Sequence, residues 1–216
     1  MICTAISEKD FDKCMEMSGM CELAEIRIDL TRFTVEQTAK LFSAHKNLIA
    51  TCRPERYKDN ERLELLKTAI ESGAKYADIE IESNRNVINE IKRCTSDNNC
   101  DMIISYHNFD NTPSQKELEE IIGKCFYLGA DVAKIACTVN SASDNATILS
   151  LFQLNKRIVA LGMGSLGKIT RIVSPLLGAE FTFAAPDTSV ETAPGQLSTE
   201  QMISIYNELR KYGILI

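Results

Sequence analysis

Ser114-Gln-Lys-Glu-Leu-Glu-Glu-Ile-Ile-Gly-Lys-Cys-Phe-Tyr-Leu-Gly129-Ala-Asp-Val-Ala-Lys-Ile-Ala136 contains one complete helix-to-strand unit. Ser114-x-x-Glu117 is a capping box, in which each side chain satisfies the other's unpaired backbone amide. Leu118, Ile121, Ile122, Cys125 and Phe126 follow at helical spacing and form one apolar face over 114–128. Gly129 supplies the left-handed residue that ends a helix. Within a few residues the chain turns extended as Val132-Ala133-Lys134-Ile135-Ala136, a strand with a lysine in its middle.

The unit repeats in both directions. Gly73-Ala74-Lys75-Tyr76 and Gly178-Ala179-Glu180-Phe181 have the same helix-ending Gly-Ala followed by an extended run. Thr34-x-x-Gln37 and Ser198-x-x-Gln201 open two more helices, the second with Met202, Ile205, Tyr206 and Leu209 on one side. Strand-like runs fall at Met1–Ile6, Leu23–Leu30, Asn47–Arg53, Tyr76–Glu82, Asp101–His107, Asp131–Thr138, Arg157–Met163 and Glu180–Ala185. Strict alternation requires parallel strands with right-handed crossovers. Eight units in 216 residues predict a bare (β/α)₈ TIM barrel, one compact domain over 1–216. The rival is a flavodoxin-like or Rossmann sheet, which loses its best support because no Gly-x-Gly-x-x-Gly follows the first strand.

In a barrel, alternate strand residues point inward and chemistry collects at the C-terminal ends. Glu25, Arg27 and Asp29 share one face of the second strand, and Asp78, Glu80 and Glu82 repeat that pattern on the fourth. Helices cover the outside of parallel strands, so these charges are expected inside. Arg53 ends the third strand and His107 the fifth. A lone histidine in that place is more often a turn or core residue than a catalyst. His45, at the end of a helix, suits a cation near the helix dipole. Lys134, flanked by Val, Ala, Ile and Ala, must pair, neutralise or react, because an unpaired buried ammonium is costly. Pairing with Glu25, Asp78 or Glu80 is one reading; a nucleophilic amine that forms an imine with a ketone is the other.

The last third carries candidate anion sites. Leu161-Gly-Met-Gly-Ser-Leu-Gly-Lys-Ile-Thr-Arg171 sets three glycines after a strand, a possible phosphate cradle without the spacing of a P-loop. The polar run 186–197 is either a surface loop or a lid over the mouth.

Composition excludes other classes. The net charge of −6 disfavours nucleic acid and anionic membranes as partners. No apolar run is long enough to span a bilayer. The opening MICTAISEKDF has neither a basic n-region nor an apolar core, so no signal peptide is read and a cytoplasmic location is expected. Eight scattered cysteines without a CxxC pair or zinc-ligand spacing suit reduced structural thiols and no metal.

Seven short motifs, in order, now carry a resemblance. They are Glu25-x-Arg27-x-Asp29, Thr51-Cys52-Arg53, Asp78-Ile79-Glu80, Ser105-Tyr106-His107-Asn108-Phe109, Ala133-Lys134-Ile135-Ala136, Gly162-Met163-Gly164 with Arg171, and Ala193-Pro194-Gly195-Gln196. Over essentially its whole length the chain resembles the type I 3-dehydroquinate dehydratases. The resemblance implies a metal- and cofactor-free dehydration of 3-dehydroquinate to 3-dehydroshikimate through a lysine Schiff base, a step toward chorismate and the aromatic amino acids. It implies Lys134 as the imine-forming lysine and His107 as the general acid/base, with a pKa near working pH. Arg171 would bind the substrate carboxylate, and Glu25, Arg27 and Arg53 would surround the ring hydroxyls. Met163 would pack on the ring, with Gln196 and Thr192 reaching substrate oxygens from the lid. Thr192 stands where the family often has Ser. Many members also have a Glu that orients the histidine at the position of Tyr57, leaving Glu55, Asp59 or Glu61 as substitutes. Without the resemblance, a Schiff-base barrel lyase stands first, with a class I aldolase of the transaldolase kind as close rival. A non-catalytic barrel that binds an anionic metabolite is the alternative of a different class. Apolar positions on the outer helices leave a homodimer open.

Overall fold

The computed structural model describes residues 1–186 and 195–214. The strands are β1 (Ile2–Ile6), β2 (Leu23–Arg27), β3 (Leu48–Thr51), β4 (Tyr76–Glu80), β5 (Asp101–Asn108), β6 (Val132–Thr138), β7 (Ile158–Met163) and β8 (Thr182–Ala184). Each pairs in parallel with its successor from β1 to β7, and β1 also pairs with β8. Between β8 and β7 the ring is bridged by a backbone bond from Glu180 N to Ile158 O at 3.0 Å. Below that bond, Arg157 reaches both Glu180 and Asp101, and Glu180 also accepts from the Tyr76 hydroxyl. The result is a nearly closed (β/α)₈ TIM barrel.

The helices are α1 (Phe11–Met20), α2 (Ile28–Thr31), α3 (Val35–Ala44), α4 (Asp59–Glu71), α5 (Arg85–Asp97), α6 (Gln115–Tyr127), α7 (Ala142–Ser150), α8 (Lys168–Val173) and α9 (Thr199–Lys211). The capping boxes at Thr34, Ser114 and Ser198 all form. The Gly-Ala repeat closes the turns that lead into β4, β6 and β8. Gly73, Gly129 and Gly178 all have positive φ, and the alanine after each donates back to the carbonyl five residues earlier. His45 is the C-cap of α3. All eight cysteines are free thiols.

Strand parity divides the core. Ala24, Ile26, Ala77, Ile79, Ala133 and Ile135 face the helices, while Leu23, Ile49, Tyr76, Ile103, Val132 and Phe181 plug the lower barrel. One step further along the same inward faces, apolar residues give way to Glu25, Asp78, Ser105 and Lys134, all buried. The plug anchors the fold and frees the upper layer for polar side chains.

Three strands end earlier than expected. β2 stops at Arg27 and the chain coils into α2, so Asp29 lies on a helix and pairs back to Arg27 with two hydrogen bonds. Glu82 falls in a turn beyond β4, and Arg53 follows β3 by two residues. The proposed phosphate cradle has another explanation. A β-carbon on Gly167 would lie 2.5 Å from the carbonyl carbon of Gly162, and one on Gly162 would lie 2.5 Å from Val139. These glycines let the turn after β7 press against its own strand, and Thr170 Oγ1 locks it by accepting from Gly162 N and donating to Gly167 O.

This close approach generates a test. Gly167→Ala forces backbone against backbone and is expected to lower stability by about 2 kcal/mol, read as a lower urea midpoint. An unchanged midpoint would show that the contact is soft.

Candidate active site

At the C-terminal end of the barrel lies a cavity of about 340 Å³. Its lining includes Glu25 and Arg27 from β2, Lys134 and Ala136 from β6, Leu161 and Met163 from β7, and Phe183 from β8. His107 enters from β5, Arg53 and Glu55 from the loop after β3, and Arg171 from α8. Gln196 closes one side. Eight of the nine residues singled out from sequence thus meet in one place; Thr192 lies outside the described residues.

Lys134 is buried, 5% exposed. Its Nζ donates to Asp78 Oδ2 at 2.8 Å and Glu25 Oε1 at 3.3 Å, and lies 4.2 Å above the Phe183 ring. Two carboxylates and an aromatic face compensate an ammonium that burial removes from water. The remaining acids are shared in turn. Asp78 takes two bonds from Arg53 and one, at 2.6 Å, from Ser105. Glu80 accepts from Arg53 Nη1 at 2.7 Å and from Arg62 Nη2 on its other oxygen. Thr51 donates to Glu25 at 2.9 Å. Arg53 and Lys134 hold the Asp78 carboxyl far below the usual carboxylate range even though burial opposes this.

Arg62 was not anticipated. It belongs to α4, in a charged run that reads as a solvated helix face, yet it is 1% exposed and also donates to the Cys52 carbonyl at 2.8 Å. Charge counting was the available signal. Glu25, Asp29, Asp78, Glu80 and Glu82 expected inside are five acids, and Arg27, Arg53 and Lys134 supply only three cations.

His107 is half-buried, and its ring stacks on Phe109 with centroids 6.1 Å apart and planes 12° from parallel. Burial, followed by the positive charges of Arg53 and Lys134, pushes its pKa down to about 3. The expectation of a value near working pH is therefore corrected: the imidazole is neutral at working pH, the form a general base needs. Two of the suggested substitutes for its carboxylate partner are committed elsewhere. Glu61 caps α4 at Lys58 N, and Asp59 pairs with Arg62. Tyr57 is half-buried and packs against the outer core.

Arg171 is 1% exposed, and its backbone carbonyl accepts from Thr182 Oγ1 at 2.8 Å and from Tyr206 on α9. The side chain is thereby held at the cavity wall from below. The ends of the loop after β8 are tied together, with Ala185 N bonded to Leu197 O and Thr199 N to Ala185 O, both at 2.9 Å. Gly195, at φ 77°, abuts the Gly164 carbonyl so closely that a β-carbon there would clash. This contact seats Gln196 beside the end of β7. Among the described residues, no helix is long and apolar enough to cross a membrane.

The family model for Type I 3-dehydroquinase matches residues 2–212. The chain is 35% identical to the 3-dehydroquinate dehydratase of Methanococcus maripaludis, with 95% of this chain and 98% of that one covered. It is 32% identical to the enzyme of the same name from Dehalococcoides mccartyi, covering 96% and 95%. Among solved structures, the 3-dehydroquinate dehydratase of Geobacillus kaustophilus shares the fold at a TM-score of 0.85 and 24% identity, with 98% of this chain and 91% of that chain covered. The type I enzyme of Clostridium difficile, solved with covalently modified comenic acid, follows at 0.84 and 24%, covering 98% and 92%. The cavity, the buried lysine and the barrel around them are those of a protein that belongs to the type I 3-dehydroquinase family.

Proposed function

We propose that this protein dehydrates 3-dehydroquinate to 3-dehydroshikimate through an imine on Lys134. The observation that carries the reading is the Lys134 amine, buried between Asp78 and Glu25 in the wall of a cavity that His107 and Arg171 also line. The family's name and the named activity of its relatives support it.

The chemistry follows from the residues. Lys134 gives a proton to neutral His107, its free amine attacks the ketone carbon, and His107 returns that proton to the carbinolamine hydroxyl, which leaves as water to give a protonated imine. That iminium has the charge of the ammonium it replaces, so Asp78 and Glu25 stabilise it with the pairing they already make. It also acidifies the adjacent C–H, which a ketone does less well. Neutral His107 removes that proton, and the electron pair forms an enamine. The enamine returns its electrons, the β-hydroxyl leaves as water with the proton from imidazolium His107, and hydrolysis frees Lys134. Arg171 takes the substrate carboxylate as a guanidinium fork. Arg27, Arg53 and Glu25 face the ring hydroxyls, Met163 packs on the ring, and Gln196 and Thr192 contact substrate from the loop.

Two outcomes test this reading. Lys134→Ala is expected to abolish formation of the conjugated enone acid, whereas His107→Ala loses about a hundredfold or more in turnover but still yields a mass adduct after borohydride. Full activity in either variant would refute the assigned role. The second outcome concerns pH. In an unfolded chain the imidazole takes up a proton near pH 6.5, but in the fold only near 3. Between these values the unfolded state binds the extra proton, so His107 removes stability as pH falls. His107→Asn is expected to lose less stability than the parent from about pH 6.5 to about pH 4, read from urea midpoints; equal losses would contradict the lowered pKa.

A further inference from the structure

We propose that Glu82 is the carboxylate that receives His107 when its imidazole is protonated, and so acts as a positioning residue for the proton transfers; this rests on the function proposed above. The need for it is electrostatic. During the reaction His107 becomes an imidazolium while a second cation, the iminium, stands on Lys134. Arg53, Lys134 and Arg27 all oppose a positive charge on His107, and Asp78 is the acid that favours it. Asp78 is already divided among Lys134, Arg53 and Ser105. Glu25 serves Lys134 and Thr51, and Glu80 serves Arg53 and Arg62.

Two carboxylates in the cavity wall remain outside any ion pair among the described residues, Glu55 and Glu82. The sheet favours Glu82. β4 and β5 are adjacent and in register at Glu80 and Ser105, and the ladder continues one bond further from Ile81 N to Ser105 O at 2.9 Å. Glu82 and His107 each follow that matched pair by two residues; Glu82 sits in the turn that continues β4 and lines the cavity wall with His107. Glu82 is exposed at its outer side, yet partial desolvation by the surrounding protein, with the charge of Glu80 adding to it, raises its carboxyl above the ordinary value, which marks a place where a nearby cation is favoured. Glu55 leaves from the loop after β3, separated from β5 by β4.

The test compares Glu82→Gln, Glu82→Asp and Glu55→Gln in the full chain, with 3-dehydroquinate as substrate. Glu82→Gln is expected to lower kcat about tenfold with KM unchanged and with borohydride still trapping an adduct. Glu82→Asp, which retains the charge, recovers part of that loss, and Glu55→Gln loses clearly less kcat than Glu82→Gln. A kcat for Glu82→Gln within about twofold of the parent, an equal loss in Glu55→Gln, or a loss confined to KM would overturn the proposal. Absence of any adduct in the parent protein would instead refute the imine itself, so the two failures are distinct.

Discussion

A lysine ammonium taken out of water costs several kcal/mol unless anions surround it, and Lys134 is met by Asp78 and Glu25 inside the barrel. That single requirement propagates. A second buried carboxylate on the same strand, Glu80, stands two residues beyond Asp78, and both need more positive charge than one lysine provides. Arg53 bridges them, and Arg62 completes Glu80 from α4. Lys134, Asp78, Arg53, Glu80 and Arg62 form one alternating chain of charges that joins β6, β4, the loop after β3 and the first helix turn beyond it. Removing any single member strands a partner in a low-dielectric interior, which is far costlier than losing a surface pair.

The same chain of charges suits the proposed chemistry because the charge on Lys134 is conserved. Ammonium and iminium both carry one positive charge at nearly the same point, so the surrounding dipoles need no reorganisation between them. His107 differs. Its environment favours the neutral imidazole at rest and opposes the imidazolium it must become. A residue tuned this way abstracts a proton readily in charge state and returns it with a strong drive. The cost is borne by whatever carboxylate stands nearest when the proton is on.

Much of this architecture was legible from local rules. Capping boxes at Thr34, Ser114 and Ser198 and the Gly-Ala repeat are short-range devices, so their sequence signatures carry over directly. Two-residue alternation assigned Glu25, Asp78 and Lys134 to the inside, since parallel strands under helices have one polar side at most. The misreadings came where the chain leaves a strand. Asp29 continues the alternation of Glu25 and Arg27 in sequence, but the chain coils into α2 after Arg27, and nothing in a run of Ile, Asp and Leu announces that turn. Arg62 was hidden for the opposite reason: a helix of Asp, Asn and Glu looks solvated, and only the unbalanced charge inside the barrel called for it. The glycines after β7 looked like an anion cradle because composition does not distinguish a loop that binds a ligand from one that packs on itself. The depressed His107 pKa comes first from burial and then from three cations drawn from three different segments, a sum that no local motif encodes.

The central claim is that the buried amine of Lys134 is the group that bonds to the ketone. Peptide mapping after borohydride treatment of the unmodified protein with 3-dehydroquinate tests it most directly. The account predicts a reduced substrate adduct on the peptide that contains Lys134 and on no other lysine. An adduct on a different residue, or turnover of the substrate with no reducible adduct at all, would contradict it.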